Sequence, residues 1–184
     1  MTRLILVRHG QTNWNVEGRY QGKTDVPLNA WGLKEAARLA ETLRDWPIAA
    51  VYSSALSRAY QTAEAVAVLH GLAVVRDARL NEMDQGEWEG LLYGEILECY
   101  GAILSAWVYR PASVRLPGGE TLAEVRQRVL AALAEIASSH PRHTVCIVGH
   151  KVTNAILKCH CTGARIAPTL RASPPNAGYE EIAY

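Results

Sequence analysis

Apolar runs alternate along the chain with segments whose apolar side chains recur every three or four residues. The runs of strand-forming residues lie at 4–7, 49–52, 72–75, 144–148 and 179–184. The helical segments lie between or after them, at about 33–43, 56–67, 95–100, 122–136 and 152–161. This alternation is typical of a sheet with helices on both faces. It predicts an α/β fold, a three-layer sandwich around a mostly parallel central sheet, with the first strand at its centre.

The stretch from 86 to 119 departs from this regular alternation. It is rich in tryptophan, proline and glycine. An irregular insertion of this kind often shapes a pocket, so we expect it to cover one. The aromatic side chains that we expect near this pocket are Trp88, Tyr93, Trp107 and Tyr109, of which Trp88 is the one more typical of packing.

The composition is that of a globular domain. Hydrophobic residues make up 49% of the 184 residues and charged residues 20%, which excludes a disordered chain, and the length predicts a single domain over residues 1–184. Lys and Arg number 19 against 18 Asp and Glu. A net charge of +1 supplies no general field for nucleic acid or a lipid surface, so neither is an expected partner. Any anionic ligand has to be bound by local groups.

The sequence favours a cytoplasmic location. No run reaches about eighteen apolar residues, and the amino terminus meets a charge too early for a signal peptide. The four cysteines, Cys99, Cys146, Cys159 and Cys161, have no CxxC spacing and lie in segments predicted to be core, so we expect reduced thiols. Cys159 and Cys161 flank a histidine on one helix, but successive helical side chains point about 100° apart and cannot share a metal ion.

Polar side chains follow several of the predicted strands at the point where each strand ends. Arg8 and His9 come directly after the first strand, and His150 follows the fourth. Arg58 lies in a serine-rich turn after the second strand, and Glu82 follows the third. Because ligands bind beyond the carboxyl ends of strands in open α/β sheets, we expect these groups to face one crevice. Two imidazoles, two guanidinium groups and a carboxylate there predict an anion site with acid–base chemistry.

The order of motifs resembles that of a known family, the histidine phosphatase superfamily, also called phosphoglycerate mutase-like. Within it, the short segment between Glu82 and His150 is similar to the small bacterial phosphatases. The resemblance covers nearly the whole chain and is carried by Leu6–Thr12, Trp14-Asn15, Gly18-Arg19, Gln21-Gly22, Asp25, Leu28, Gly32, Ser53–Ala59, Asn81-Glu82, Gly86–Gly90, Pro117–Glu120 and Gly149-His150.

The resemblance implies a role for each residue at a matching position. His9 is the expected nucleophile, and Glu82 is the expected general acid and later base. The implied phosphoryl-binding groups are Arg8, Asn15, Arg58 and a cationic His150, while Gln21 and Gly22 contact the phosphate or the leaving group. Such groups neutralise a phosphate monoester without a metal, so neither metal nor cofactor is expected. Because His9 has to be neutral while Glu82 and His150 are protonated, we expect a bell-shaped pH profile.

Three functions are compatible with these residues. The first is a phosphomonoesterase for a small phosphorylated metabolite, similar to broad-specificity, α-ribazole-phosphate or phosphoserine phosphatases. The second is a cofactor-dependent phosphoglycerate mutase, which we disfavour because the insertion and the segment after His150 are short for a site that has to exclude water. The third is a binding module without turnover, which we disfavour because every expected catalytic residue type is present.

Several points stay open at the level of sequence. Asn15 has a second interpretation as an amide that caps its own loop. Lys151 stands where the family often has glycine, and it either reaches a carboxylate of the substrate or extends into water, of which we favour water. Gln85 is a further candidate to face the substrate. The sequence identifies neither the physiological phosphomonoester nor whether the chain forms a homodimer.

Overall fold

Five strands form one sheet in the computed structural model, which describes residues 1–184. They are β1 (Arg3–Arg8), β2 (Ile48–Ser53), β3 (Val74–Arg76), β4 (Thr144–Gly149) and β5 (Tyr179–Ala183). Their order is β3-β2-β4-β1-β5, and β5 alone runs antiparallel to its neighbour. The predicted mostly parallel sheet is confirmed. The central position belongs to β4 rather than to β1, because β5 adds a strand on the other side of β1.

Seven helices connect and cover the strands. They are α1 (Asn13–Glu17), α2 (Ala30–Leu43), α3 (Ser57–Leu69), α4 (Tyr93–Tyr109), α5 (Leu122–Ser139), α6 (Lys151–Thr162) and α7 (Ile166–Arg171). None of them is both long and apolar enough to cross a lipid bilayer. At the start of α5 the Glu124 N–H donates to the Thr121 hydroxyl over 3.3 Å. This cap satisfies a backbone donor that the first turn leaves free, so α5 begins where its sequence predicts.

The helices cover both faces of the sheet, as predicted. Side chains alternate along β1, so Ile5 and Val7 pack in one buried cluster with α2 and α3. Leu4 and Leu6 point the other way and pack with α5 and α6. Each fully buried aliphatic side chain contributes roughly 1.5–3 kcal/mol, and a slip of one residue would move all four to the opposite core, whose packing they do not match. The two cores therefore fix the register of β1 and with it the position of the residues that follow.

The segment from 86 to 119 is more helical than its sequence predicts. In place of a short helix near 95–100, α4 runs from Tyr93 to Tyr109 with a break at Tyr100, where φ is −134° and ψ is 27°. The break interrupts the apolar stripe, so the periodicity predicts only part of the helix. The six-residue α7 was not predicted because it is too short for a periodic pattern, and β3 begins two residues later than expected.

The four cysteines are free thiols, in agreement with the prediction. Cys146 is buried in β4, and burial raises the pKa of its thiol to about 12, which keeps it protonated. Cys99 does not belong to the core, contrary to the prediction, because it lies on the solvent side of α4.

Candidate active site

The carboxyl ends of β1 and β4 bring His9 and His150 together. The two strands pair with Arg8 opposite Gly149, and the His9 N–H donates to the Gly149 carbonyl over 3.1 Å. The imidazole centroids are 5.2 Å apart, and the ring planes are tilted by 55°. Both side chains are almost completely buried, with 4% and 1% exposed. The structure thus places the two imidazoles side by side, as the sequence predicts.

The His9 ring is oriented by the backbone of the next residue. Its Nδ1 lies 2.7 Å from the Gly10 carbonyl oxygen, which only accepts hydrogen bonds, so Nδ1 carries the proton and Nε2 has a free lone pair. The Gly10 N–H in turn donates to the Thr62 hydroxyl over 2.9 Å. Burial, followed by the positive charges of Arg58 and Arg8, lowers the pKa of His9 well below its usual value. His9 is therefore a neutral imidazole.

Two guanidinium groups flank His9 and are themselves fixed by backbone carbonyls. Arg8 donates from Nη1 to the Pro174 carbonyl over 2.9 Å. Arg58 donates from its two terminal nitrogens to the carbonyls of Thr24 and Gly22, over 2.8 and 2.7 Å. The Nε atoms of both arginines are buried and donate to no protein atom. Burial lowers the pKa of Arg58 to about 10, so both groups stay cationic at neutral pH.

Asn15 caps its own loop and also lies at the cavity, so the structure is compatible with both interpretations of its sequence. Its Oδ1 accepts from the Thr12 N–H over 3.0 Å, which caps α1, and from Asn176 Nδ2 over 3.2 Å. Its side chain also lines the cavity in front of His9. Gln21 and Gly22 line the same cavity, and Gln21 Oε1 accepts from the Thr12 hydroxyl over 3.0 Å. The loop after His9 is therefore held by hydrogen bonds between its own side chains and presents polar groups to the cavity.

Glu82 lines the same cavity with 6% of its surface exposed. Its carboxylate accepts from the Met83 N–H over 2.9 Å and from the Val152 N–H, in the first turn of α6, over 3.1 Å. The backbone of this segment is held by Arg128, which donates to the Glu82 carbonyl over 3.0 Å and to the carbonyls of Arg79 and Asn81. The position of Glu82 is thus set by α5 and α6 together.

His150 has a different environment from His9. Both of its ring nitrogens are buried without a hydrogen-bond partner. Burial, followed by the positive charge of Arg58, lowers its pKa well below the usual value, and the imidazole is neutral in this environment. The expectation of a cationic His150 therefore depends on the negative charge that a phosphoryl group would bring, because a dianion beside the ring raises the pKa.

These side chains surround one cavity of about 440 Å³. Seven of the eight predicted site residues line it: Arg8, His9, Asn15, Gln21, Gly22, Arg58 and Glu82. His150 does not line the cavity but lies next to His9, with the ring centroids 5.2 Å apart. A volume of this order fits a small organic phosphate.

Comparison with known proteins gives the same picture as the geometry. The sequence pattern of the histidine phosphatase superfamily, branch 1, matches residues 4–184. The chain belongs to this family. Phosphoserine phosphatase 1 of Hydrogenobacter thermophilus is 38% identical over 182 residues, which cover 99% of this chain and 86% of the relative.

Two solved structures have the fold of this histidine phosphatase. The mycobacterial glucosyl-3-phosphoglycerate phosphatase superposes with a TM-score of 0.89 at 31% identity, covering 97% of this chain and 90% of that one. The α-ribazole phosphatase of Shigella flexneri superposes with a TM-score of 0.86 at 28% identity, covering 97% and 89%. The predictions of the family, the fold class and a phosphatase activity are therefore confirmed.

The aromatic residues of the 86–119 segment are divided between core and solvent in this histidine phosphatase. Trp107 lines the cavity, together with Val108. Trp88 is fully buried and packs edge-on against Tyr20, with ring centroids 5.7 Å apart, while Tyr93 and Tyr109 are exposed. Of the four aromatic residues that we expected near the pocket, only Trp107 reaches it.

Several residues that position the site were missed by sequence reasoning. Asn176 donates from Nδ2 to the carbonyl of His9 over 3.0 Å, and Pro174 supplies the carbonyl that binds Arg8. Both lie in the proline-rich link before β5, whose sequence carries no signal for a site more than 160 residues away. Arg128 and Thr62 were missed for the same reason, since their partners lie in other elements. Gln85, a candidate from sequence, does line the cavity, with a buried Oε1 that has no partner.

Proposed function

We propose that this protein is a metal-independent phosphomonoesterase that hydrolyses a small phosphorylated metabolite through a phosphohistidine at His9. One observation carries the proposal: the hydrogen bond between His9 Nδ1 and the Gly10 carbonyl leaves Nε2 with a free lone pair beside two guanidinium groups. An unprotonated nitrogen in an electropositive cavity is the arrangement that attack on a phosphate dianion requires.

The reaction has two half-steps that use the same groups. In the first, His9 Nε2 forms a bond to phosphorus while the bond to the ester oxygen breaks, and Glu82 gives its proton to the departing alkoxide. Arg8, Arg58, Asn15 and His150 bind the three peripheral oxygens and neutralise their charge. In the second half-step Glu82 takes a proton from water, whose oxygen attacks phosphorus and releases His9 and inorganic phosphate.

The test is release of inorganic phosphate from p-nitrophenyl phosphate in the presence of a chelator. We expect turnover by the native protein, and a loss of at least about 1,000-fold in His9→Ala because the covalent route disappears. His160→Ala is the matched control, because this exposed histidine lies on α6 outside the cavity. Equal activity of native protein and His9→Ala, or activity only after addition of a divalent metal, contradicts the proposal.

The phosphohistidine has its own test. The bond between phosphorus and an imidazole nitrogen is stable in base and labile in acid. We expect protein mixed rapidly with substrate and quenched in base to carry a phosphoryl group on the His9 peptide, and an acid quench to remove it. A base-stable phosphoryl group on a different residue excludes His9 as the nucleophile.

A mutase is the second candidate, since it shares the first half-step. Hydrolysis is favoured because side chains at the rim of the cavity, Lys151 and Arg171, are exposed to solvent, so water reaches the interior. Incubation with 3-phosphoglycerate distinguishes the two: we expect inorganic phosphate and no 2-phosphoglycerate. Conversion between the two phosphoglycerates without release of phosphate identifies a mutase.

We also propose that residues 1–184 act as one domain whose 86–119 segment covers the cavity, which is supported by Trp107 and Val108 on its wall. The four free thiols support a reducing location, the cytoplasm. A homodimer stays a prediction, and light scattering of the purified protein tests it.

A further inference from the structure

The charges around the cavity exceed what a phosphoryl group needs. Its lining includes five cationic side chains and a single acidic one, Glu82, although the whole chain has a net charge of only +1. Arg8 and Arg58 flank His9 and serve the phosphoryl group. Arg19 is neutralised by Glu17, to which its Nε donates over 2.6 Å. Two cations, Lys151 and Arg171, remain for another ligand group.

Neither of these two cations has an acidic partner in the protein. Lys151 makes no ion pair, and Arg171 makes one long hydrogen bond, from Nη1 to the Val108 carbonyl over 3.3 Å. Partial burial, followed by the nearby charge of Arg8, lowers the pKa of Lys151, and the charge of Glu82 offsets only part of this shift. An ammonium in this position is destabilised by its surroundings and would be stabilised by an anion.

The position of Lys151 places it on the side of the leaving group. It is the first residue of α6, between His150 and Val152, and the Val152 N–H donates to Glu82. Glu82 protonates the departing oxygen in the proposed mechanism, so the organic part of the substrate has to extend past this turn. Arg171, at the end of α7, lines the same cavity, together with Trp107.

We infer that Lys151 and Arg171 bind a carboxylate on the departing part of the substrate, so that the enzyme selects phosphomonoesters of small acids. The inference rests on the proposed function and specifies its substrate class. Lys151 is exposed, as its sequence favours, and it also lines the cavity, so its ammonium is in water in the free protein and within the cavity that a substrate would occupy. Trp107 and Leu170 form an apolar part of the cavity wall and offer no charge to a substrate. Lys151 and Arg171 are therefore the groups that recognise the end of the substrate farthest from the phosphoryl group.

The test compares two substrates that differ mainly at the distal group. 3-Phosphoglycerate carries a carboxylate where glycerol 3-phosphate carries a hydroxymethyl group. The readout is the ratio of kcat/KM for the two substrates, measured with a chelator present. We expect the native protein to favour 3-phosphoglycerate, and Lys151→Gln with Arg171→Gln to lower the ratio about 10-fold, as expected for two partly screened ion pairs.

The matched control removes the same two charges elsewhere. Lys34→Gln with Arg165→Gln changes two exposed cations that lie outside the cavity, so this double variant should keep the native ratio. The exchange Lys151→Arg with Arg171→Lys keeps both charges and should also retain most of the preference for 3-phosphoglycerate. A variant that failed to fold would not retain this preference.

Three results overturn the inference. The native protein hydrolyses the two substrates equally well, or favours glycerol 3-phosphate. The Lys151 and Arg171 double variant loses activity on both substrates to the same degree, which indicates general attraction of anions rather than contact with the carboxylate. The control variant changes the ratio as much as the test variant. In each case phosphate is still released, so the proposed function survives, whereas a protein that releases no phosphate from any of these esters fails the proposed function instead.

Discussion

Replacing Arg128 by methionine tests how the proposed general acid is held. Arg128 lies on α5 with 19% of its side chain exposed. It donates two hydrogen bonds to the Glu120 carboxylate and one each to the carbonyls of Arg79, Asn81 and Glu82. Methionine keeps the unbranched apolar stem of the side chain but removes all of these bonds. The segment that carries Glu82 then loses its attachment to α5.

Arg128→Met should be less stable because it leaves the Glu120 carboxylate without its hydrogen bonds from Arg128. Glu120, with 17% of its side chain exposed, would lose its closest cation and keep only Lys23, whose Nζ lies 3.8 Å from Oε1. Burial acts to raise the pKa of Glu120, and the hydrogen bonds from Arg128 reverse the net shift, so without them the carboxylate is destabilised. Removing one partner of a buried pair costs about 3–5 kcal/mol, which we reduce to about 2–4 kcal/mol for the remaining exposure. Urea unfolding should show a midpoint lower by about 1–2 M.

The effect on catalysis is specific for the leaving group. p-Nitrophenolate departs readily without a proton, whereas the alkoxide of glycerol 3-phosphate has to be protonated by Glu82. Displacement of Glu82 in Arg128→Met should therefore lower kcat/KM about 100-fold for glycerol 3-phosphate but only about 10-fold for p-nitrophenyl phosphate. Both substrates are measured below the temperature at which the variant begins to unfold.

The control is Arg115→Met, which breaks a surface pair with Glu124 whose side chains are 60% and 47% exposed. We expect no measurable change of the urea midpoint or of the ratio between the two substrates. If Arg128→Met is destabilised but keeps the native ratio, Arg128 supports the fold without positioning Glu82, and the reasoning is refuted.

Two further predictions concern pH and the loop after His9. Burial, then Arg58, lowers the pKa of both His9 and His150 below the usual 6.5, so the unfolded chain binds protons below that pH while the folded chain does not. As the pH is lowered from about 6.5, the free energy of unfolding should decrease by up to about 1.4 kcal/mol per pH unit for each histidine, as measured by urea unfolding at several pH values. The dependence of this free energy on pH should be weaker in His150→Asn. An equal dependence in the native protein and in His150→Asn contradicts the assignment to His150. Gly22→Ala places a Cβ 1.9 Å from Glu89 Oε1 at a φ of +51°, so KM for p-nitrophenyl phosphate should rise about 10-fold through displacement of the carbonyl that binds Arg58. Gly71→Ala, at a φ of +64° with no atom within 4 Å, should leave KM unchanged, and equal KM values in the two variants would contradict the steric explanation.

The candidate catalytic residues could be recognised from the sequence because each follows a strand. Apolar runs identify β1 and β4, and parallel strands end at the same edge of a sheet, so His9 and His150 were predicted to converge without coordinates. The same reasoning placed Arg58 and Glu82 at the crevice. It did not predict the second half of α4, because the break at Tyr100 interrupts the pattern on which a helix is recognised.

The sequence by itself determined the order of the strands and main helices, the family and the candidate reacting groups, because these depend on short-range patterns and on motifs that stay intact along the chain. The tertiary structure decided which groups support them. The carbonyls that Arg128 and Arg58 bind, the contact of Asn176 with Asn15, and the choice of Trp107 over Trp88 for the cavity wall all join distant parts of the chain. The neutral state of His150 is likewise a consequence of burial, which only the packed molecule defines.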